Sequence, residues 1–255
     1  MSPLTVLLIN LLAFLARHML FAGAAFVTSR LGQRLGRLRR IQSEPAALRQ
    51  VLREMAWSAS SGVVFVAAMA VLLATAENGY TRIYTDVSEY GTAWLFASIP
   101  CILILHDAYF YWTHRWMHEL RILRPAHRLH HTFHNPTSWS AFSFHPGEAL
   151  IEAGILPLVA WTLPVHPLAL FAFTTLMTAQ SVAIHCGFER TPGRRWLTSS
   201  WWMGSRAHND HHRGQRGNYG LYLTFWDVAM GTDVPASTAA AGSGAPISTP
   251  QLRSA

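Results

Sequence analysis

The sequence predicts an all-α integral membrane protein with about four to five transmembrane or re-entrant helices and a histidine-rich helical cytoplasmic cap. Of its 255 residues, 51% are hydrophobic and 13% charged, whereas about 25% of an ordinary soluble domain is charged. Long apolar stretches recur along the chain, and the period-two alternation typical of strands is scarce. The 14 histidines mostly lie beside these stretches, which predicts a polar cap at one end of an apolar stem.

Five apolar stretches cover about residues 3–27, 56–76, 92–112, 149–163 and 165–186. A helix needs about 20 apolar residues to cross the hydrocarbon core. The second stretch meets this length well and the third and fifth adequately, whereas the fourth is short. Prolines at 157, 164 and 167 predict that the last two stretches form a hairpin that enters the membrane and returns. The small residues 22–25 resemble a signal-peptide cleavage site, but without a basic N-terminal region a retained helix is favoured.

The charge distribution predicts the topology. Residues 30–53 contain seven arginines, and by the positive-inside rule this segment is cytoplasmic. The next connection, residues 77–91, contains three acidic residues and one arginine, as an external loop can. Residues 114–134 and 208–212 then both reach the cytoplasmic face. We expect three regions: N-terminal membrane helices and an Arg-rich loop (1–91), a histidine-rich domain (92–233) and a disordered tail (234–255).

The composition also excludes some partners. All 20 basic residues are arginine, and they lie beside apolar spans rather than interleaved with aromatic residues as in single-strand binding proteins. No Gly-rich phosphate loop is present. We therefore expect no nucleic acid partner and no bound cofactor beyond a metal.

Three histidine motifs indicate a metal site. Imidazole is the commonest neutral nitrogen ligand of transition metals, and residues three and four apart share a helix face. Each H-x-x-H-H triplet can therefore point three nitrogens at one place, and so many imidazoles exceed what one ion holds, which predicts two ions. The motifs are His114-x-x-x-His118, His127-x-x-His130-His131 and His208-x-x-His211-His212.

A polar stripe leads to the first motif. Asp107, Tyr111, His114 and His118 are spaced i, i+4, i+7 and i+11, which places them on one helix face. Asp107 can accept the second ring N–H of a metal-bound imidazole, or it can pair with Arg115. Both interpretations stay open, and Asp107 and Tyr111 are candidate supporting residues of the site.

The remaining histidines are weaker candidates. His185 ends the fifth stretch on the side of the two triplets, where a metal ligand is useful. His145 is either a ligand or a buried hydrogen-bonding residue, and the latter is slightly favoured. His134 precedes Asn-Pro, where the helix should end, so it supports the site or lies on the surface. His18 and His166 are isolated in sequence and are expected to be incidental.

The donor set narrows the choice of metal. Cys101 and Cys186 lack metal-type spacing, so zinc held by thiolates is excluded and a disulfide is not expected. Zinc hydrolases usually add carboxylates, and the triplets contain only Asp210. Nitrogen-rich sites suit iron, copper or zinc, and beside a lipid-facing pocket iron that reacts with O₂ is favoured. A membrane zinc hydrolase or a metal-handling protein remains the alternative.

These motifs resemble those of the fatty acid hydroxylase/sterol desaturase superfamily of membrane non-haem di-iron enzymes. The pattern H-x-x-x-H, H-x-x-H-H, H-x-x-H-H occurs here in that order, within HDAYFYWTHRWMH at 106–118 and the two later triplets. The flanking segments are similar too: FHPGE at 144–148, NYG at 218–220, FWD at 225–227 and GT at 231–232. The resemblance covers roughly residues 93–232.

The resemblance implies a four-helix-like stem, a cytosolic cap and two iron ions, with O₂ as co-substrate. The activity it implies is hydroxylation or desaturation of a C–H bond in a lipid such as a sterol, a fatty acyl chain or a carotenoid. It also raises the expectation that His185 is a ligand. We expect a multi-pass protein, in the bacterial inner membrane.

The chain contains no segment that resembles an electron carrier, so a separate ferredoxin-like or cytochrome b5-like donor is expected. Two arginine clusters can dock an acidic donor, or they can bind anionic lipid headgroups. They comprise Arg121, Arg124 and Arg128 in one cluster and Arg213 and Arg216 in the other.

Overall fold

The protein is described by a computed structural model that covers residues 3–191 and 201–234. Within these residues the chain is almost entirely helical. The helices are α1 (Pro3–Arg34), α2 (Leu48–Glu77), α3 (Gly91–Glu119), α4 (Arg124–Arg128), α5 (Pro146–Ala153), α6 (Ile155–Thr162), α7 (Pro167–His185), α8 (Ser205–Gly214) and α9 (Phe225–Ala229). Two short strands, β1 (Leu38–Arg40) and β2 (Phe188–Arg190), and 3₁₀ turns at Val87–Glu89, His130–Thr132 and Ser138–Phe142 complete it.

Four helices, α1, α2, α3 and α7, are long and apolar enough to cross a membrane. Even the shortest, α7 with 19 residues, rises about 29 Å at ~1.5 Å per residue, close to the ~30 Å hydrocarbon core. Large apolar side chains cover their outer surfaces, for example Leu12, Val63 and Phe96, each more than half exposed. An apolar exterior is stable in lipid and not in water, so the prediction of an all-α membrane protein is confirmed.

The fourth apolar stretch forms two helices of eight residues each, α5 and α6, and both are too short to span. They join at Gly154, where the chain approaches α3 closely. A Cβ atom there would lie 2.5 Å from the Tyr109 hydroxyl oxygen, and this hydroxyl donates a hydrogen bond to the Ile151 carbonyl. The four long helices pack in the order α2, α1, α7, α3, and α5 and α6 lie between α3 and α2.

Pairing between connections defines the two ends of this stem. At one end, β1 pairs antiparallel with β2, with Arg39 opposite Glu189, so α1 and α7 finish on the same side. At the other end, Ile83 pairs with Val165, which joins the α2–α3 connection to the α6–α7 connection. The Arg-rich segment 30–53 therefore lies at the end where α3 and α7 finish.

The Arg-rich segment contacts the histidine motifs directly. The amide of Gln42 donates to Oδ1 of Asn209 at 3.1 Å and to the His134 carbonyl at 2.8 Å. The amide of Gln50 donates to the Asn135 carbonyl. The expectation that both triplets and this segment share one end is therefore confirmed. We call it the histidine end; its cytoplasmic location stays a prediction, and the predicted tail lies, apart from Val234, outside the described residues.

Candidate metal centre

The nine histidines predicted as ligands meet in one place, at the histidine end of the stem. Helix α3 has 29 residues and is about 43 Å long at ~1.5 Å per residue, so its last turns extend beyond a ~30 Å hydrocarbon core. These turns supply two of the histidines. The others come from α4 and the turn after it, from the last residue of α7 and from α8.

The nine side chains form two groups whose candidate donor atoms lie within 4.8 Å of one another in each group. All are buried except His118, which is partly exposed. The first group contains His114, His118, His127, His131 and His211, and the second contains His130, His185, His208 and His212. The nine predicted residues are thus brought together, and two groups fit the expectation of two ions.

Each triplet is divided between the groups, which corrects the expectation that its three nitrogens point at one place. His127 and His131 belong to the first group and His130 to the second. At about 100° per residue, positions i+3 and i+4 lie ~60° before and ~40° beyond position i around the helix. Side chains four apart therefore meet on one side, and the middle histidine faces the other group. The triplet of α8 is divided in the same way.

Backbone carbonyls fix the ring tautomers in the first group. Nδ1 of His114 lies 2.8 Å from the Tyr219 carbonyl, and Nδ1 of His211 lies 2.7 Å from the Gly217 carbonyl. A carbonyl only accepts hydrogen bonds, so each Nδ1 carries the proton and each Nε2 keeps its lone pair. Both Nε2 atoms are buried and have no hydrogen-bond partner. They are oriented as metal ligands.

The second group has the ligand spacing of a bound ion. His185 donates from Nδ1 to the Ser181 carbonyl, so its Nε2 has only a lone pair. This Nε2 lies 3.2 Å from Nε2 of His130 and 2.9 Å from Nε2 of His208, which is 3.2 Å from Nε2 of His212. Two nitrogens held at about 2.1 Å from one ion, at a right angle, are ~3.0 Å apart. The residues therefore fit a metal ion at their centre.

A buried carboxylate supports the first group. Oε1 of Glu148, in the first turn of α5, lies 2.6 Å from Nδ1 of His127, and both side chains are buried. The Nε2 of His127 faces Nε2 of His131 at 2.9 Å. This is the carboxylate–histidine arrangement that orients metal ligands. The sequence does not predict this role, although Glu148 lies in the FHPGE segment, because its separation from His127 carries no periodic signal.

A second carboxylate holds the loop that supplies the two carbonyls. Asp227 accepts hydrogen bonds from the backbone N–H groups of Tyr219 and Gly220 at 2.8 and 2.9 Å and from the Thr232 hydroxyl at 2.8 Å. Gly217 has φ +64°, and a Cβ there would clash with the Thr232 carbonyl. The NYG, FWD and GT segments therefore form one hydrogen-bonded loop, and this loop holds the histidine rings of α3 and α8 in place.

Burial keeps these imidazoles neutral. Loss of hydration lowers the pKa of His131 to about 3 and holds the pKa of His127 well below the usual histidine value. Repulsion by neighbouring imidazoles lowers both further. The pKa values of His130, His208, His211 and His212 are lowered well below the usual value for the same reasons. Neutral imidazole is the form that binds metal.

Asp107 has neither predicted partner. Its Oδ1 accepts the backbone N–H groups of Tyr222 and Leu223, both at 3.1 Å, while Arg115 pairs with Glu119 at 2.8 Å. The expectations of an imidazole partner and of an Arg115 partner are both corrected. The reason is distance along α3, since Asp107 precedes the first histidine of the cluster by almost two turns. It fixes the loop rather than a ring.

Tyr111 also contacts this loop rather than a histidine donor atom. Its buried hydroxyl lies 2.9 Å from the Thr232 hydroxyl and accepts a hydrogen bond from Arg115 at 3.2 Å. Asp107, Tyr111 and His114 of the predicted stripe therefore each contact the loop 217–232.

The structure does not bring His145 into either group. Its side chain is exposed, and its Nδ1 accepts the backbone N–H of Gly147 at 3.1 Å, so it caps α5 and is not buried as expected. His134 lies on the surface. His106, for which the sequence predicts no role, is buried, and its Nδ1 lies 2.9 Å from the Tyr222 hydroxyl.

The fold and the site together define a class of membrane protein in which an apolar helical stem carries, at one end, a buried cluster of neutral histidines suited to metal. The family comparison agrees with this class. The model of the fatty acid hydroxylase family matches residues 99–232, and the chain belongs to this family, within the fatty acid hydroxylase/sterol desaturase superfamily.

Several curated proteins are similar to the chain. Lathosterol oxidase of Mus musculus is 28% identical over 186 residues, which cover 72% of this chain and 61% of that protein. A Delta(7)-sterol 5(6)-desaturase of Gibberella zeae is 27% identical over 76% of this chain and 59% of its own length. Methylsterol monooxygenase of Aspergillus fumigatus is 35% identical over 54% and 47%.

The chain thus spans about half to three fifths of the length of these relatives. No solved structure matches it.

Proposed function

We propose that this protein is a membrane-bound oxidoreductase that holds two iron ions and uses O₂ and external electrons to hydroxylate or desaturate a C–H bond of a lipid. One observation carries the proposal: nine neutral histidines form two adjacent all-nitrogen groups at the end of an apolar stem. Membership of the fatty acid hydroxylase family gives this geometry its chemical interpretation.

The donor set supports iron over zinc. The first group offers five imidazoles, whereas zinc in proteins is usually four-coordinate. Neither group includes an aspartate, a glutamate or a cysteine among the described residues, although zinc hydrolases commonly use carboxylates. Nitrogen-rich sites suit iron, copper or zinc, and the four imidazoles of the second group fit zinc as well as iron. The preference for iron therefore rests on the fifth imidazole of the first group and on the family.

We infer a sterol as the preferred substrate class, with fatty acyl chains and carotenoids as the alternatives. The relatives reported above are named for reactions on sterols. Both groups border the apolar stem. The ring of His130 lies 5.1 Å from that of Phe144, and the ring of His114 lies 5.2 Å from that of Phe110, and both phenylalanines belong to apolar clusters. A lipid C–H bond held in the stem would therefore lie close to the candidate ligands.

Bound iron would supply the activation of O₂ needed to break an unactivated C–H bond. Hydroxylation consumes one O₂, two electrons and two protons, and it yields one alcohol and one water. Desaturation removes two hydrogens from adjacent carbons with the same O₂, electrons and protons, and it yields two waters. The protein would hold the ions with the two groups, orient the rings through Glu148 and the loop carbonyls, and exclude water with Phe144.

Metal analysis of anaerobically purified protein, combined with lipid analysis under ¹⁸O₂, tests the proposal. We expect about two iron ions per chain and an O₂-dependent lipid product that is absent from cells without the protein. An ¹⁸O atom in the product indicates hydroxylation, whereas loss of two hydrogens without ¹⁸O indicates desaturation. Stoichiometric zinc with no O₂-dependent product would contradict the proposal.

A further inference from the structure

A polar cavity of about 520 Å³ opens beside the first group, at the far end of α3. His118 and Tyr219 line it, and the side chains of Arg124, Arg213 and Arg216 surround them. The two arginine clusters identified in the sequence therefore contribute to one surface. We call this surface the basic cavity.

The basic cavity reaches the candidate ligands directly. His118 is the one member of the two groups that is partly exposed. The Tyr219 ring lies 5.3 Å from the His118 ring and 5.6 and 5.5 Å from the rings of His114 and His211. The first group therefore has a polar face toward water in addition to the apolar contact of His114 with Phe110.

The cavity carries uncompensated positive charge. Arg213 and Arg216 are exposed, and neither forms an ion pair among the described residues. Arg124 donates to backbone carbonyls of α3, which leaves its charge available. The carboxylate in the lining, Glu119, is paired with Arg115 at 2.8 Å. A negatively charged partner fits this surface.

The distance of the cavity from the hydrocarbon core favours a soluble partner over a lipid headgroup. A ~30 Å hydrocarbon core that begins at Gly91 ends about 20 residues along α3, which would place His118 eight residues, or ~12 Å, beyond it. The headgroup layer of one leaflet is only about 5–8 Å thick. The chain's own residues 235–255 contain no aspartate or glutamate, so their charge does not match the cavity either.

We propose that the basic cavity is the docking site of an acidic, soluble one-electron carrier, and that electrons reach the first group through His118 and the adjacent Tyr219 ring. This inference rests on the proposed function, which needs two electrons for each O₂. Each docking event would oxidise one carrier and reduce the metal centre by one electron, so two carriers are used per turnover. Arginine charges around the cavity would steer and orient the carrier.

A binding experiment tests the docking site without any metal. The probe is an acidic plant-type [2Fe–2S] ferredoxin, measured against metal-free full-length protein in phosphatidylcholine nanodiscs at low and high salt. We expect salt-sensitive binding that the Arg213→Glu/Arg216→Glu variant weakens about tenfold or more. The control, Arg37→Glu/Arg49→Glu, makes the same charge change at exposed sites elsewhere at the histidine end and should bind like the wild type.

Three results would overturn the docking site. They are no binding by the wild type, equal binding by the cavity variant, and equal weakening by the control. A fourth result is that the wild type, but not the cavity variant, retains added phosphatidylglycerol and no longer binds ferredoxin; it would assign the cavity to lipid headgroups instead.

A kinetic experiment tests the electron route in the iron-loaded protein. Anaerobic stopped-flow compares reduction of the ferric centre by anionic Fe(II)-EDTA and by cationic hexaammineruthenium(II). We expect the anionic reductant to be favoured in the wild type, and the ratio of the two rates to fall about tenfold or more in Arg213→Glu/Arg216→Glu. An unchanged ratio would refute the route. A protein without reducible iron would contradict the proposed function, and ferredoxin binding would then decide the docking site alone.

Discussion

At the scale of single residues, the candidate centre depends on groups that are not themselves candidate ligands. Three rings, those of His114, His185 and His211, donate from Nδ1 to backbone carbonyls, and His127 contacts a carboxylate. Each contact leaves Nε2 free for a metal. The spacing of the histidines predicted the motifs. It did not predict the carbonyls and the carboxylate that orient the rings, because most of these groups are distant in sequence and become neighbours only in the fold.

Glu148→Gln should weaken metal binding by the first group. An amide cannot accept the Nδ1 proton of His127 with the strength of a carboxylate, and loss of such a partner typically costs 10–100-fold in metal affinity. Chelator competition on the purified protein measures the change. Glu152→Gln is the matched control, since it makes the same substitution one turn later in α5. Equal affinities for the two variants would refute the role given to Glu148.

At the scale of elements, sequence periodicity predicted the spans and the stripe of α3 correctly. Periodicity did not predict features that depend on contacts between two different elements. The fourth apolar stretch breaks into α5 and α6 at Gly154, which packs closely against Tyr109 of α3, and Asp107 contacts the loop 217–232 instead of a ring. The division of each triplet between two groups could not be predicted from spacing either, because side chains spread over about 100° of a helix face can bind one ion or two.

Helix α8 offers a direct test of this division. His208→Ala/His212→Ala removes two donors of the second group, whereas His211→Ala/His212→Ala removes one donor from each group. We expect the first variant to keep about one ion per chain, held by the intact first group, and the second to bind metal more weakly at both groups, as measured by elemental analysis after gel filtration. His145→Ala, at an exposed histidine outside the groups, should keep two. Identical metal content in the two double variants would mean that the triplet serves one ion.

At the scale of the whole molecule, the stability of the metal-free protein should depend on pH. The folded-state pKa of His131 is lowered to about 3 by burial, whereas unfolded histidine titrates near 6.5. Between these values the unfolded chain binds a proton that the folded chain does not. Stability therefore falls as pH decreases below about 6.5, by up to ~1.4 kcal/mol per pH unit for each such histidine.

Thermal unfolding of the metal-free protein in detergent, from pH 8 to pH 5, measures this dependence. We expect a nearly constant melting temperature above pH 7 and a steady decrease below it. His131→Ala should reduce the slope of the decrease, and the exposed-site variant His145→Ala should not. A melting temperature that stays constant or rises toward pH 5 would show that the buried histidines are not neutral in the fold.

Pairing of β1 with β2 and of Ile83 with Val165 places the two sets of connections at opposite ends of the stem. The seven arginines of residues 30–53 then predict that the histidine end is cytoplasmic. Exposed sites at each end allow a test: Ile122 is 85% exposed at the histidine end and Tyr80 is 75% exposed at the other.

In a background with both cysteines replaced by serine, a membrane-impermeant maleimide added to spheroplasts should label Tyr80→Cys at once. It should label Ile122→Cys only after lysis. The reverse pattern would place the metal centre outside the cell, where no cytosolic carrier reaches the basic cavity. Labelling of both sites before lysis would contradict a stem that separates the two ends, so this one measurement constrains the fold, the topology and the electron supply together.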